Sequence, residues 1–294
     1  MIVRNVHAYY ASRSGPPVRA VDNVSLTIHE GEVLGIAGES GCGKSTLAAV
    51  ISLTARPPLI IERGEMELNG QTIRLGEQIN IPDDWHGKQV ALLPQRAMNS
   101  LNPTARIRDF VVDVVRAHDP VITSMEAVEL ARQRLELLSL PPRVLDSYPH
   151  QLSGGMRQRV VAVVSTLLNP TVLIADEPTS ALDVSSQKEL VLLLRLLLEH
   201  QFITRIGFIT HDLPLLSNVA DRIAIMYAGE VVEVGTTKEI VDTPQHPYTK
   251  ALIGSTLDPD PRVRGQRLTT IRGAPPDLRY PPSGCRFHPR CPYL

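Results

Sequence analysis

Eight residues constrain this chain more than any others. Gly38-Glu39-Ser40-Gly41-Cys42-Gly43-Lys44-Ser45 fit G-x-x-x-x-G-K-[ST]. The apolar run Val33-Leu34-Gly35-Ile36-Ala37 before them predicts a buried strand, and Thr46-Leu47-Ala48-Ala49-Val50-Ile51 after them predicts a helix. Strand, glycine turn and helix form the arrangement that turns successive backbone N–H groups toward one phosphate chain. The helix N-terminus adds partial positive charge. Lys44 would reach the β- and γ-phosphates, and the Ser45 hydroxyl would ligate Mg²⁺. A glycine turn with a surface lysine is the plain alternative, and the correct flanks on both sides argue against it.

The rest of the chain supplies a sheet for that loop to sit on. Val21, Val24, Leu26 and Ile28 suggest a strand ending at Glu30-Gly31, and Glu65-Met66-Glu67-Leu68 with the turn Asn69-Gly70 predicts a hairpin. Short buried-type strands are expected at Val90–Leu93, Val172–Ala175 and Ile206–Ile209. A further hairpin is expected around Ala228-Gly229-Glu230. Helical spacing marks Ile107–Val115, Ala127–Leu138, Met156–Leu168 and Ser186–His200. Strands alternating with helices imply an α/β fold with a parallel sheet covered on both faces. From about Thr243 proline rises, basic residues cluster at Arg262-Val263-Arg264-Gly265-Gln266-Arg267, and little regular structure is expected.

Composition excludes some classes. The formal net charge is −1, so no global basic field draws the chain to nucleic acid or anionic lipid. No apolar run is long enough to span a bilayer, since Leu190–Leu198 is short and interrupted by Arg195. Arg4, Asn5 and His7 break any signal-peptide core, so a cytosolic location is expected. The three cysteines, Cys42, Cys285 and Cys291, do not suggest a disulfide framework.

A phosphate loop alone leaves kinases, GTPases and many ATPases open; the second half narrows the field. Leu152-Ser153-Gly154-Gly155-Met156 leads into a helix and forms a second anion-ready site. The chain's own loop already serves one phosphate chain, so this site points to a phosphate bound by another subunit. Asp176 and Glu177 end an apolar strand, where ligands of open α/β sheets sit. Asp176 is placed to hold Mg²⁺, and Glu177 to polarise an attacking water. His211 ends the next strand, within reach of a γ-phosphate, and Gln95 ends another, where it would sense Mg²⁺ or the water. Each has a plain reading as a cap or loop residue; together, at strand ends of one phosphate-loop chain, they reinforce one another. Tyr9-Tyr10 are adjacent aromatics for which base stacking and a structural role on a strand stand even.

On these residues the chain resembles the nucleotide-binding subunit of ATP-binding cassette (ABC) transporters. The resemblance makes Gly38–Ser45 the Walker A motif, with Gly38, Ser40, Gly41, Gly43, Lys44, Ser45 and Thr46 on ATP. Ser153, Gly154 and Gly155 become the signature, and Val172–Glu177 the Walker B motif with its catalytic glutamate. Asp183 of Ser180-Ala181-Leu182-Asp183 falls in the D-loop, Gln95 is the Q-loop residue and His211 the switch histidine. Tyr10, with Tyr9 as the alternative, falls at the adenine-stacking position. The implied fold is a RecA-like P-loop core with an antiparallel β subdomain and an inserted helical subdomain over about 96–158. Together these make a nucleotide-binding domain of residues 1–242, followed by a proline-rich extension, 243–294. It implies Mg²⁺ on Ser45, Asp176 and Gln95, and head-to-tail pairing of two cassettes around ATP. Two transmembrane permease subunits and an extracytoplasmic substrate-binding protein complete the implied assembly, at the cytoplasmic face of the membrane and without nucleic acid.

A finer resemblance is to the oligopeptide/dipeptide permease ATPases. It is carried by Ser100-Leu101-Asn102-Pro103, Tyr148-Pro149-His150-Gln151, His246-Pro247-Tyr248-Thr249-Lys250-Ala251-Leu252 and the tail Pro282–Pro292. It implies peptide cargo, with nickel or oligosaccharide as the alternative, and a second cassette that is a related paralogue or another copy. A soluble cassette ATPase of DNA repair fits less well. The interval between the two glycine motifs is only about a hundred residues and lacks sustained heptads. Some members of the branch carry a [4Fe-4S] cluster in this tail, which makes Cys285 and Cys291 candidate ligands. Two thiolates fall short of the four such a cluster takes, and the sequence ends before the expected further cysteine. Arg96-Ala97 and Gln151 depart from the usual residues of the branch.

Overall fold

The computed structural model describes residues 1–12, 15–76, 81, 82, 85–95, 97–255 and 271–293. Arg96 and the basic cluster 262–267 lie outside the described residues. The chain divides into two compact units, one built from Met1–Ile81 with Gly207–Leu294 and one from Pro82–Ile206.

The first unit opens with β1 (Ile2–Tyr10) and β2 (Val18–Thr27), continues through β3 (Val33–Ala37) and α1 (Lys44–Ile51), and reaches the hairpin β4 (Leu59–Leu68) and β5 (Gln71–Leu75). Strands β2, β1, β4 and β5 lie in that order in one antiparallel sheet. Val3, Val6 and Ala8 of β1 and Met66 and Leu68 of β4 are buried in it. The Asn69-Gly70 turn has positive φ at both residues, 51° and 77°, as a tight two-residue hairpin requires. All five residues of β3 are buried, so no alternation shows in its sequence.

The second unit holds β6 (Val90–Leu93), α2 (Ile107–His118), α3 (Ser124–Leu137), α4 (Gly154–Ser165), β7 (Val172–Asp176) and α5 (Val184–Glu199), and the division falls within β8 (Arg205–Ile209). Strands β6 and β7 pair in parallel, with Leu93 opposite Ala175. Helix α3 starts on a capping box: Glu126 N–H donates to Thr123 Oγ1 (3.2 Å), and Thr123 N–H donates to the Glu126 carboxylate (2.9 Å). Arg134 on α3 is only 4% exposed. Its guanidinium donates to Thr166 O (2.9 Å) and Asn169 Oδ1 (2.7 Å) and lies 3.5 Å from the centre of the Phe202 ring. Each such charge-assisted bond contributes about 1.5–3 kcal/mol, so one arginine ties α3 to the end of α4. Helix α4 begins two residues earlier than the periodicity suggested, because the Ser153 hydroxyl accepts from Met156 N–H and sets its start.

The chain then returns to the first unit with α6 (Leu213–Val219), β9 (Arg222–Tyr227), β10 (Glu230–Thr236), α7 (Thr237–Asp242) and α8 (Pro247–Gly254). Strand β9 pairs in parallel with β3 and antiparallel with β10. Helix α8 is more order than the proline-rich composition suggested. Pro247 stands at its first turn, where its missing N–H costs nothing, and the His246 side chain accepts from Tyr248 N–H.

Candidate nucleotide site

The phosphate loop runs from the end of β3 into α1. Gly38, Gly41 and Gly43 have φ of 154°, 81° and 106°. At Gly43 an added Cβ would lie 1.9 Å from Ala20 O, so both torsion and space demand glycine. Gly41 is the converse: an added Cβ meets nothing within 4 Å, so only its torsion requires glycine. Lys44 is 5% exposed, and its ammonium donates to Gly38 O (2.7 Å) and Glu39 O (3.0 Å). The loop therefore folds around its lysine, which keeps a donor on the loop. Ser45 is exposed at the head of α1. Cys42 is buried, and burial pushes its thiol up, which suits a small filler. Tyr10 is half-buried on β1, with its hydroxyl 3.1 Å from Thr46 Oγ1. A structural bond is thus present at the residue for which sequence left stacking and structure even. His211 is exposed directly after β8, between Thr210, whose N–H donates to Ile36 O, and Asp212, which caps α6.

The second unit holds the acidic residues. Asp176 is buried at the end of β7, and Glu177 follows with φ of 43°. Gln95 lies two residues after β6, and its Nε2 donates to Glu177 Oε2 at 2.8 Å. The parallel pairing of β6 with β7 sets these two side chains at adjacent strand ends. Ser153, Gly154 and Gly155 form the N-terminus of α4. Gly155 is buried, and a Cβ on it would lie 2.5 Å from Ser186 Oγ and 2.8 Å from Ser186 Cβ. Asp183 caps α5; the Ser186 N–H donates to it (3.0 Å) and holds its carboxyl below the usual carboxylate range. Ser186 Oγ also donates to Asp183 (2.8 Å), so the second glycine motif abuts the residue that positions Asp183. Gly155→Ala is expected to displace Ser186 and cost about 1–3 kcal/mol. A fall in the urea midpoint, followed through the single tryptophan, Trp85, would check it.

Ser45 at the head of α1 and Asp176 at the end of β7 each carry a hard oxygen, the donor type that Mg²⁺ takes. The iron–sulfur expectation finds no such support. Cys285 is exposed, with Sγ 3.9 Å from His246 Nε2, and Cys291 is partly exposed. Among the described residues no group of three or more His, Cys, Asp or Glu is arranged to hold a metal ion.

Three residues around the loop went unassigned in the sequence: Glu39, Tyr248 and Arg290. Glu39 N–H donates to Tyr248 Oη (2.8 Å), and Arg290 grips the Glu39 carboxylate with two bonds, of 2.7 and 3.1 Å. Tyr248, Tyr227 and Phe287 pack their rings together at 4.4–5.3 Å between centroids. Arg286 donates to Ala228 O and to the Asp22 carboxylate and pairs with Glu230 at 3.0 Å. Pro247 as a helix start was a signal that could have located Tyr248; nothing local marks Arg290.

Residues 21–180 match the ABC transporter family, and residues 232–294 match the oligopeptide/dipeptide transporter C-terminal region. The dipeptide transport ATP-binding protein DppD of Caldanaerobacter subterraneus subsp. tengcongensis is 42% identical over 99% of this chain and 88% of its own. The oligopeptide transport ATP-binding protein OppD of Bacillus subtilis is 41% identical over 95% of this chain and 78% of its own. Among solved structures, a dimeric post-hydrolysis state of the ATP-binding cassette MJ0796, bound to ADP and Pi, superposes with a TM-score of 0.66 at 26% identity. It covers 80% of this chain and 98% of that one. No helix among the described residues is long and apolar enough to cross a membrane. The chain belongs to the ABC transporter family, among the ATP-binding proteins of dipeptide and oligopeptide transport.

Proposed function

We propose that this chain is the ATP-hydrolysing motor subunit of an importer that takes up dipeptides or oligopeptides across the cytoplasmic membrane. The observation that carries it is that one chain joins a stretch matching the ABC transporter family, residues 21–180, to one matching the oligopeptide/dipeptide transporter C-terminal region, residues 232–294. Residues 1–242 form the nucleotide-binding domain, with a helical subdomain at about 96–158, and 243–294 form the extension. The subunit lies at the cytoplasmic face as a peripheral protein beside two permease subunits. A second cassette, a paralogue or another copy, faces it.

Catalysis is mostly positioning plus charge stabilisation. Lys44 and the N–H groups of Gly41, Gly43 and Ser45 hold the phosphates, and Tyr10 stacks on the adenine. Ser45, Asp176 and Gln95 would hold Mg²⁺, which would supply neutralising charge when bound. Glu177 accepts the proton of the attacking water, and His211 orients water and phosphate. Ser153, Gly154, Gly155 and Asp183 complete the site of the facing cassette. The Gln95–Glu177 hydrogen bond supports this reading, because it joins the residue at the helical subdomain's edge to the base. Movement of that subdomain then reaches the reacting water through one side chain.

The test is ATPase activity of the chain alone and after co-expression with permease and binding-protein genes. Activity that rises in the membrane complex and with added dipeptide is the expected result. A free chain that is fully active and never joins membrane subunits would overturn it.

A further inference from the structure

Glu39 is the one carboxylate among the eight loop residues. An anion in a loop that receives a triphosphate opposes binding by like-charge repulsion. Here it is matched by a cation from the far end of the chain. Arg290 forks onto both carboxylate oxygens, with its side chain 6% exposed. The guanidinium is itself fixed: Nε donates to Arg272 O (2.8 Å), and Nη2 donates to Gly273 O (3.2 Å). It also lies 5.9 Å from the centre of the Tyr227 ring. The Glu39 hydrogen bonds hold the guanidinium firmly protonated. Tyr248, buried on α8, turns the Glu39 N–H toward the extension. The pair is partly shielded, with the Glu39 side chain 23% exposed, so salt screens it less than a surface pair.

We propose that Arg290 is a positioning residue for nucleotide binding: it neutralises Glu39 and, with Tyr248, sets the first turn of the phosphate loop from the C-terminal extension. The proposal rests on the nucleotide-site reading above. The competing possibility is a plain staple that fastens the tail and leaves the loop indifferent. The two differ in what removing Glu39's charge does. If neutralisation matters, an uncharged residue 39 relieves the loss of Arg290. If only fastening matters, it does not.

The experiment is MgATP affinity of the full chain by calorimetry, with the unfolding midpoint measured beside it. Arg290→Met is expected to weaken MgATP binding about tenfold, the effect of one uncompensated charge near the phosphates. Arg290→Lys recovers part of the loss, because charge returns without the fork. Glu39→Gln combined with Arg290→Met returns affinity to within about twofold of wild type, although the double variant still lacks the ion pair and keeps the lowered midpoint. Unchanged affinity in Arg290→Met overturns the proposal, as does a loss that persists in the double variant. The wild-type chain is titrated first; failure there to bind MgATP would overturn the nucleotide-site reading itself and is distinguishable from both.

Discussion

Glu177→Gln will bind ATP close to wild-type strength and hydrolyse it about 10²–10⁴-fold more slowly, the usual contribution of a positioned general base. The amide keeps the size of the side chain and can still accept from Gln95 Nε2, whose bond to Glu177 is 2.8 Å. What it loses is the capacity to take a proton. The substitution therefore separates binding from chemistry within one residue. Single-turnover phosphate release, set beside titration of the same preparation with ATP, checks it. A rate near wild type would remove Glu177 as the base.

Lys44→Ala acts on the other half of the cycle. The Lys44 ammonium is buried and bonds to two loop carbonyls, Gly38 O and Glu39 O. Its removal takes away the cation proposed for the phosphates and also leaves those carbonyls short of a donor. A charge-assisted hydrogen bond contributes about 1.5–3 kcal/mol, so ATP affinity is expected to fall about 10- to 100-fold. Turnover at saturating ATP will fall too, since the same charge is needed as the γ-phosphate leaves. Unchanged affinity would refute the role given to the loop lysine.

What could be read from the sequence was whatever is encoded locally. The strand, loop and helix around Gly38–Ser45 stand where the pattern put them, because apolar periodicity and glycine torsions act over a few residues. The same holds for the hairpin at Asn69-Gly70 and for β7 before Asp176. Helix α8 was hidden by a proline-rich composition that, at Pro247, starts a helix instead of breaking one. Nothing near Arg134 in the sequence marks it as buried; its burial depends on Phe202 and the carbonyl of Thr166, more than thirty residues away. Arg290 and Glu39 lie further apart still, 251 positions, and no spacing rule reaches that far. Tyr10 shows a different limit: the strand was legible, but not that its hydroxyl would meet Thr46.

The grip of Arg290 on Glu39 also orders events during synthesis. The chain is made from the N-terminus, so β3, the loop and α1 leave the ribosome long before the tail. At about 5–20 residues per second, some tens of seconds at the slow end separate Glu39 from its cation. Through that interval the nascent loop carries an unpaired carboxylate and lacks the tyrosine that turns its N–H. A chain that stops short of Arg290 is therefore expected to bind nucleotide more weakly than one extended through it, which titration of a truncated chain with MgATP would show.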